Sequence, residues 1–468
     1  MKLTREWRLY ALGVMLCVAL TICSRNFADR GGARFMASLT LAGIAYLLAV
    51  RELFRGRGPI RLRSGQVCAT PAFPRRVVVF GLILAAVWHI EFLRLPPGAD
   101  DDIHRYVWDG RLQRQDYNPY LVAPGDPSVK SLHTAETRNV NNPDLPSPYP
   151  PGSELFFRAV TAIHGSVFAF KLAFVLCEFA IALVLLDLLR SCRRGTHFVL
   201  AYAWNPLLAI EVAWSGHIDI VGALLLLISI AALARKWRAL AGLAFGLAVA
   251  VKFLPIVLLP LYWKRIRIRD FVLAAAVVAL LYVPFLNHGR ISLGSLGIYV
   301  QTFRFNGPVF AALNHFVPPK ILAGLSVLVG LLTAAWLGST AVQESLTKEG
   351  TESHREESAK FPPRETVSFT LQSSAFAWPM AASLLCAPVV FPWYLIWLTP
   401  FLTSPSTFLI AIWTVSIIPT YVMWHLRMLT GVWGTLPGWV MLVEYGSLAA
   451  TMLAMRRAKV IRTRYSSE

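Results

Sequence analysis

The sequence predicts an all-α protein, a polytopic bundle of about 11–14 transmembrane segments with a long outer loop carrying short helices. Three observations predict it. First, 56% of the 468 residues are hydrophobic and only 15% are charged, whereas a soluble domain carries about 25% charged residues. A water-soluble core cannot hide that much apolar surface. Second, the apolar residues come in runs of about 17–25, the length needed to cross ~30 Å of hydrocarbon as a helix. Third, the net charge of +19 is gathered in short clusters between those runs: Arg51 to Arg76, Arg193–Arg194, Arg235–Arg238, Lys264–Arg269 and Arg456–Arg464. Short basic loops mark cytoplasmic connections. The same distribution excludes a nucleic-acid binder, which needs its cations along one continuous face.

Residues 1–95 read as N-terminal membrane helices, with spans near 9–24, 35–50 and 77–95. The start, MKLTREWR, reads as the beginning of the first span rather than a cleaved leader. Residues 96–166 form a first outer loop, rich in Pro, Asp and Asn and without an apolar run. A loop this long is usually functional. Residues 167–286 return to the membrane. Within them, 239–263 has basic flanks at both ends, Pro255 and Pro260 inside and Lys252 at its middle. It reads as a broken hairpin, since irregular backbone at membrane depth is tolerated only against protein or a wet cavity. A second outer loop covers 287–318, a membrane helix 319–340, a hydrophilic cytoplasmic loop 341–372, further membrane helices 373–455 and a basic cytoplasmic tail 456–468. With this parity both termini are cytoplasmic and both long loops lie outside the cell membrane. The six cysteines form no C-x-x-C pair, so neither a disulfide framework nor a zinc site is expected.

The most informative stretch runs from Asp100 through Asp101, Asp102, Ile103, His104, Arg105, Tyr106, Val107, Trp108 and Asp109 to Gly110. Pro96, Pro97 and Gly98 break the preceding span, and a helix is expected from about Asp100. Helical spacing puts Asp101, His104, Arg105 and Trp108 on one face, with Asp102, Tyr106 and Asp109 on the neighbouring strip. One Asp at a helix start is an ordinary cap. Three in a row exceed that need, because like charges this close raise one another's cost of ionisation. Turn chemistry follows at Asn118-Pro119-Tyr120 and at Ser147-Pro148-Tyr149-Pro150-Pro151-Gly152. Lys252 in an apolar segment costs ~2.5–3.5 kcal/mol at mid-membrane and marks a functional site by default. Its competing role is to neutralise a carboxylate or the carbonyls freed by Pro255. His217 and Asp219, beside Trp214 and Glu211, are equally readable as capping residues. Trp393, Tyr394 and Trp397 are readable as an interfacial aromatic belt.

The run DDIHRYVWDGRLQRQDYNPY, followed by SPYPPG, resembles the first outer loop of GT-C-type glycosyltransferases. It is closer still to bacterial polyprenyl-phosphate-sugar-dependent mannosyltransferases. WNPLLAIEVAWSGHIDI, GLAFGLAVAVKFLPIVLLPLYW, FRFNGPVF and FPWYLIWLTPF are similar to further parts of the same family. The resemblance implies a GT-C-like bundle and a hexosyltransferase. The sugar, by family default mannose, would pass from a polyprenyl-phosphate donor to an envelope glycan or lipid acceptor at the outer face, with inversion. It implies an outer-loop Asp as general base, Asp101 or Asp102, with Asp101 slightly favoured. Lys252, His217 and Arg304 are the donor-phosphate candidates. Arg105, Tyr106, Asp109, Tyr149 and Trp393 are the candidates for positioning substrate. No cofactor is required, and a divalent cation, if used, would fall to Asp101 and Asp102. The partners implied are the lipid-linked sugar, the acceptor and membrane lipid. Two other readings are a transporter or lipid flippase, which should show internal repeats, and an envelope polysaccharide polymerase or ligase, which calls for an arginine-rich outer loop.

Overall fold

The computed structural model describes residues 4–55, 60–61, 67–68, 73–98, 101–138, 140–263, 265–352 and 365–465. Asp100, most of the basic 51–76 loop, Lys264, the middle of the hydrophilic 341–372 loop and residues 466–468 lie outside the described residues.

The chain is helical almost throughout. α1 (Arg5–Arg25), α2 (Ala33–Phe54) and α3 (Arg75–Leu93) are long apolar helices. α4 (Ile103–Gln113) and α5 (Pro151–Ile163) are short helices within the first long loop. Pro151 opens α5, where a missing N–H costs nothing. α6 (Val167–Ser191) starts at Ser166, whose side chain accepts from the Ala169 N–H. α7 (Leu200–Ala203) and α8 (Pro206–Leu208) are single turns, continued by a π-turn over Ala209–Trp214. α9 (Asp219–Ala234) and α10 (Arg238–Val251) follow. Next come α11 (Leu259–Tyr262), α12 (Ile268–Leu281), α13 (Leu296–Thr302) and α14 (Pro308–Leu313). α15 (Pro319–Glu352), α16 (Glu365–Cys386), a 3-10 helix Pro392–Phe401, α17 (Phe408–Ser416), α18 (Val422–Thr430) and α19 (Gly438–Tyr465) complete the chain.

Among the described residues, eight helices are long and apolar enough to cross a membrane, or nine if the bent pair Pro206–Trp214 and Asp219–Ala234 counts as one span. The apolar helices Arg238–Val251 and Ala375–Cys386 are shorter. Leu280 on α12, Leu332 on α15 and Leu442 on α19 are each at least 60% exposed. Apolar side chains bared on long helices are what lipid contact requires. The protein is a multi-pass membrane protein.

The helices sort into two compact units: 1–95, 194–210 and 402–468 in the first, 96–193 and 211–401 in the second. In the first unit α1 packs on α2 and α3. Buried polar groups tie its segments together: Tyr46 donates to the Ala201 carbonyl at 2.7 Å, and Trp204 Nε1 to the Gly81 carbonyl at 2.8 Å. In the second unit α4 packs on α5 and α6, α6 on α9, α9 on α10 and on the 3-10 helix, and α15 on α16. Gly110 permits the α4–α5 crossing, since a Cβ there would lie 2.4 Å from the Phe157 carbonyl oxygen. The long loop has its own apolar core of Trp108, Leu112, Val129 and Val140. Trp108 also stacks on His133 at 4.0 Å, which makes it a packing residue.

Candidate active site

The two described aspartates of the acidic run stand in different environments. The expected helix start near Asp100 moves to Ile103, because Gly98 and Asp101 first close a turn. Asp101 is 3% exposed, and its Oδ2 accepts the Gly98 N–H at 2.7 Å. The ammonium of Lys171, buried on α6, lies within electrostatic reach of it. Asp102 occupies the N-cap position of α4, yet its side chain makes no capping bond. It is half-buried. Asn141 Nδ2 donates to its Oδ1 at 2.8 Å, and no described residue engages Oδ2. A carboxylate that leaves the cap unmade and keeps one oxygen unused is available for other work.

Tyrosines surround Asp102. Tyr106 stacks on Phe157 at 4.5 Å and meets Tyr149 edge-on at 5.3 Å. Tyr120 donates to the Tyr149 carbonyl at 2.7 Å, fixing that turn. The hydroxyls of Tyr299 and Tyr394 are 2.5 Å apart. The charges of both Asp102 and Asp219 bear on the hydroxyls of Tyr106 and Tyr299. Burial first, and these carboxylates second, push both phenols above their ordinary range. Tyr149 is raised too, by burial first and the Asp102 carboxylate second. All three are therefore neutral hydrogen-bond donors at physiological pH.

Asp219 enters from the 117° bend that joins Pro206–Trp214 to α9. Lys252 meets it from the end of α10, where the helix stops at Val251 and Lys252 turns extended. The carbonyl that this break frees is taken by Ser153 of α5, which donates to the Val251 oxygen at 2.7 Å. Lys252 Nζ donates to Asp219 Oδ1 at 2.7 Å and sits 4.0 Å above the Tyr394 ring. Trp397 Nε1 donates to the same oxygen at 2.7 Å. The Lys252 side chain is 23% exposed and that of Asp219 only 1%, so the cation is partly open while its partner is sealed. His217, on the same bend, is buried with Nδ1 3.0 Å from Glu211 Oε2. Its ring stacks on Trp393 at 4.1 Å, and Trp393 on Phe391 at 4.3 Å.

The other candidates make different contacts. Arg304 bonds to the carbonyls of Val300, Gln301 and Phe303 and covers the Phe310 ring, so it closes the end of α13. Arg105 and Asp109 form a buried pair, with Arg105 Nε 2.9 and 3.0 Å from the two carboxylate oxygens. Beneath them Glu154 accepts from Ser147 at 2.5 Å and Gln113 at 2.8 Å. Burial, with the Asp109 carboxylate beside it, holds the Glu154 pKa well above the ordinary range. Burial also raises Asp109, against the pull of Arg105. Toward a divalent cation, the Asp101–Asp102 pair alone supplies two carboxylates, one buried and one half-buried. Asp101 Oδ2 and Asp102 Oδ1 are already accepting, and among the described residues no three His, Cys, Asp or Glu side chains gather as a metal site.

Sequence reasoning missed Asn141, Tyr299, Glu154 and Lys171 as members of these groups. Lys171 was findable, since it is a charge inside an apolar span just as Lys252 is. The others carry no signal of their own.

No curated protein matches the chain. Among solved structures, the crystal structure of ArnT from Cupriavidus metallidurans bound to undecaprenyl phosphate is similar at 16% identity, over 82% of this chain and 73% of that one, with a TM-score of 0.41. That likeness is too loose to transfer anything to this chain. The model of the MptA/B family, alpha-(1->6)-mannopyranosyltransferase N-terminal domain, matches residues 18–265, more than half of the sequence. That span takes in the Asp101–Asp102 turn, the bend bearing His217 and Asp219, and the break at Lys252. By that match the chain belongs to the MptA/B family of alpha-(1->6)-mannopyranosyltransferases, and it is a membrane glycosyltransferase.

Proposed function

We propose that this chain transfers a hexose, mannose in keeping with its family, from a polyprenyl-phosphate donor to an envelope glycan or lipid acceptor, with inversion at the anomeric carbon and Asp102 as the general base. The observation that carries the reading is the contrast at the acidic turn. Asp102 is half-buried, makes no capping bond and is oriented by Asn141, whereas Asp101 is buried and accepts from Gly98. The slight preference for Asp101 drawn from sequence therefore gives way to Asp102.

In this reading the acceptor hydroxyl donates to Asp102 Oδ2. As its oxygen attacks the anomeric carbon, the proton passes to the carboxylate and the bond to the phosphate oxygen breaks. Inversion follows because base and leaving group sit on opposite faces of the sugar. The departing phosphate carries negative charge and needs a cation in place beforehand. Lys252 supplies it from the open end of its pair with Asp219. The neutral tyrosines donate hydrogen bonds and offer flat surfaces to the sugar ring. Trp393 is a stacking platform braced by His217. Asp101, Arg105 and Asp109 hold the loop in shape. The chemistry needs no cofactor. The basic clusters put both termini in the cytoplasm and the loops 96–166 and 287–318 on the outer face of the cell membrane, where a lipid-linked donor would be met.

The test is transfer by the purified protein. Labelled polyprenyl-phosphate mannose is supplied with a panel of lipid and glycan acceptors, and the anomeric configuration of the product is read by NMR. Labelled product with inverted configuration supports the reading. A retained configuration removes the single-displacement step, and no transfer to any acceptor removes the reading itself.

A further inference from the structure

A cleft of about 310 Å³ lies between α6, α9 and α10, at the end of these helices away from the candidate active site. The directions of the helices fix that end. Lys171 is in the second turn of α6, Asp219 opens α9, and Lys252 follows the last residue of α10. The cleft instead takes Val184 and Asp187 from late in α6, Ile228, Ala231 and Ala232 from late in α9, and Leu240 from the first turn of α10. α9 has 16 residues, so at ~1.5 Å per residue its ends stand ~24 Å apart, most of a hydrocarbon thickness. In the orientation proposed above, the cleft lies at the cytoplasmic boundary of the membrane.

Its walls are apolar, and its charged lining residues are Asp187 and Arg235. Arg235 donates to the Asp187 carboxylate and, through Nη1, to the Ala231 carbonyl at 3.0 Å. Trp237 and Leu240, 58% and 41% exposed, carry the apolar wall out to the surface. The charge around it is one-sided. Arg190, Arg193, Lys236 and Arg238 stand exposed on the adjoining turns, and Asp187 is the one acid of residues 187–193 and 235–240. Arg193 and Lys236 hold left-handed backbone, with φ 51° and 61°, where Gly or Asn is the less strained choice. These turns therefore keep cations at a conformational cost.

An apolar cleft that opens at the membrane boundary beside a row of cations has the make-up of a lipid site. The walls suit an acyl chain, and the cations suit a phosphate. The volume is near the lower limit for small-ligand sites, which suits one chain rather than an element of a partner protein. The excess of positive charge favours an anionic headgroup over a zwitterionic one. We infer that this cleft binds an anionic phospholipid, with an acyl chain against Val184, Ile228 and Leu240 and the phosphate held by Arg235, Lys236 and Arg238. So placed, the lipid braces the three helices whose far ends carry Lys171, Asp219 and Lys252. Neither the cleft nor its test depends on sugar transfer.

The experiment uses the full-length protein in phosphatidylcholine nanodiscs with a trace of phosphatidylglycerol that carries a photoreactive diazirine on one acyl chain. Crosslinks are mapped by peptide mass spectrometry. They should gather on Val184, Ile228 and Leu240, and unlabelled phosphatidylglycerol should displace them where the same amount of phosphatidylcholine does not. Arg235→Gln, Lys236→Gln and Arg238→Gln should each lower this labelling about fivefold, with labelling at the lipid-facing Leu332 and Leu442 unchanged. Even labelling of the lipid-facing helices in the wild type, with no enrichment at the cleft, overturns the inference without any variant having to fold. Equal displacement by phosphatidylcholine overturns it as well, because the cations then select nothing. Displacement by polyprenyl phosphate at lower amounts than by phosphatidylglycerol overturns the phospholipid as occupant. Full cleft labelling in the triple Gln variant overturns the role given to the cations.

Discussion

Two carboxylate clusters lie in the same unit, and they use the same residue types differently. In the closed cluster all four oxygens of Asp109 and Glu154 accept hydrogen bonds, from Arg105, Ser147 and Gln113. Both side chains are sealed from solvent. In the open cluster Asp102 is half-buried, with one oxygen that no described residue engages, and Lys252, paired with the sealed Asp219, is partly exposed. Closed carboxylates hold a loop together, and in the proposed reading the open one, Asp102, is left for the acceptor. The difference cannot be seen in residue type or in burial alone. It appears only when each oxygen is followed to its donor.

The comparison is broken most forcefully at Asp102. Asp102→Asn should lower kcat by about 10²–10⁴-fold, the range of a general base, with the thermal unfolding midpoint unchanged. A smaller loss is expected at Lys252. Lys252→Met should cost about 10²–10³-fold in kcat/KM, as removal of one preorganised charge-stabilising donor does, and weaker donor saturation is the readout. In the closed cluster the effect should move from rate to stability. Arg105→Met strands Asp109 in the interior, and breaking a buried pair costs about 3–5 kcal/mol, visible as a lowered unfolding midpoint in detergent. The smallest effect is expected at Glu154. Its pKa in the fold is raised, so the fold favours its protonated form. That contribution is complete below the ordinary value of 4.5 and is lost as pH rises through the folded pKa. Glu154→Gln keeps a neutral group of the same shape. It should change the midpoint little in acid and should lessen the decline that the wild type shows toward alkaline pH.

Much of this was legible in the sequence. Apolar runs and basic loops announced a membrane bundle, and Lys252 stood out as a charge without a polar neighbourhood. The acidic run suggested a site, and its helix was expected from Asp100 but starts at Ile103. A helix from Asp100 would have put Asp101 on the working face. Instead the Gly98–Asp101 turn engages that carboxylate, which is why the proposal moves to Asp102. The pairing of Lys252 with Asp219 spans 33 residues and depends on a bend and a helix break meeting, which no local pattern encodes. Asn141 and Tyr299 are ordinary loop residues until the two long loops fold. Arg304, a cation in a promising motif, bonds to the carbonyls at the end of its own helix, a contact that no sequence pattern announces. The span count was hard to read for a similar reason, since 239–263 and 391–403 are apolar but Pro-broken and form short or 3-10 helices.

The account depends above all on Asp102, and not its neighbour, taking the proton. Single-turnover rates of mannose transfer from a pre-bound polyprenyl-phosphate donor, compared between Asp101→Asn and Asp102→Asn, test this most directly. The account predicts a loss of about 10²-fold or more for Asp102→Asn and a rate much nearer the wild type for Asp101→Asn. The reverse order, with Asp102→Asn active and Asp101→Asn silent but folded, would contradict it.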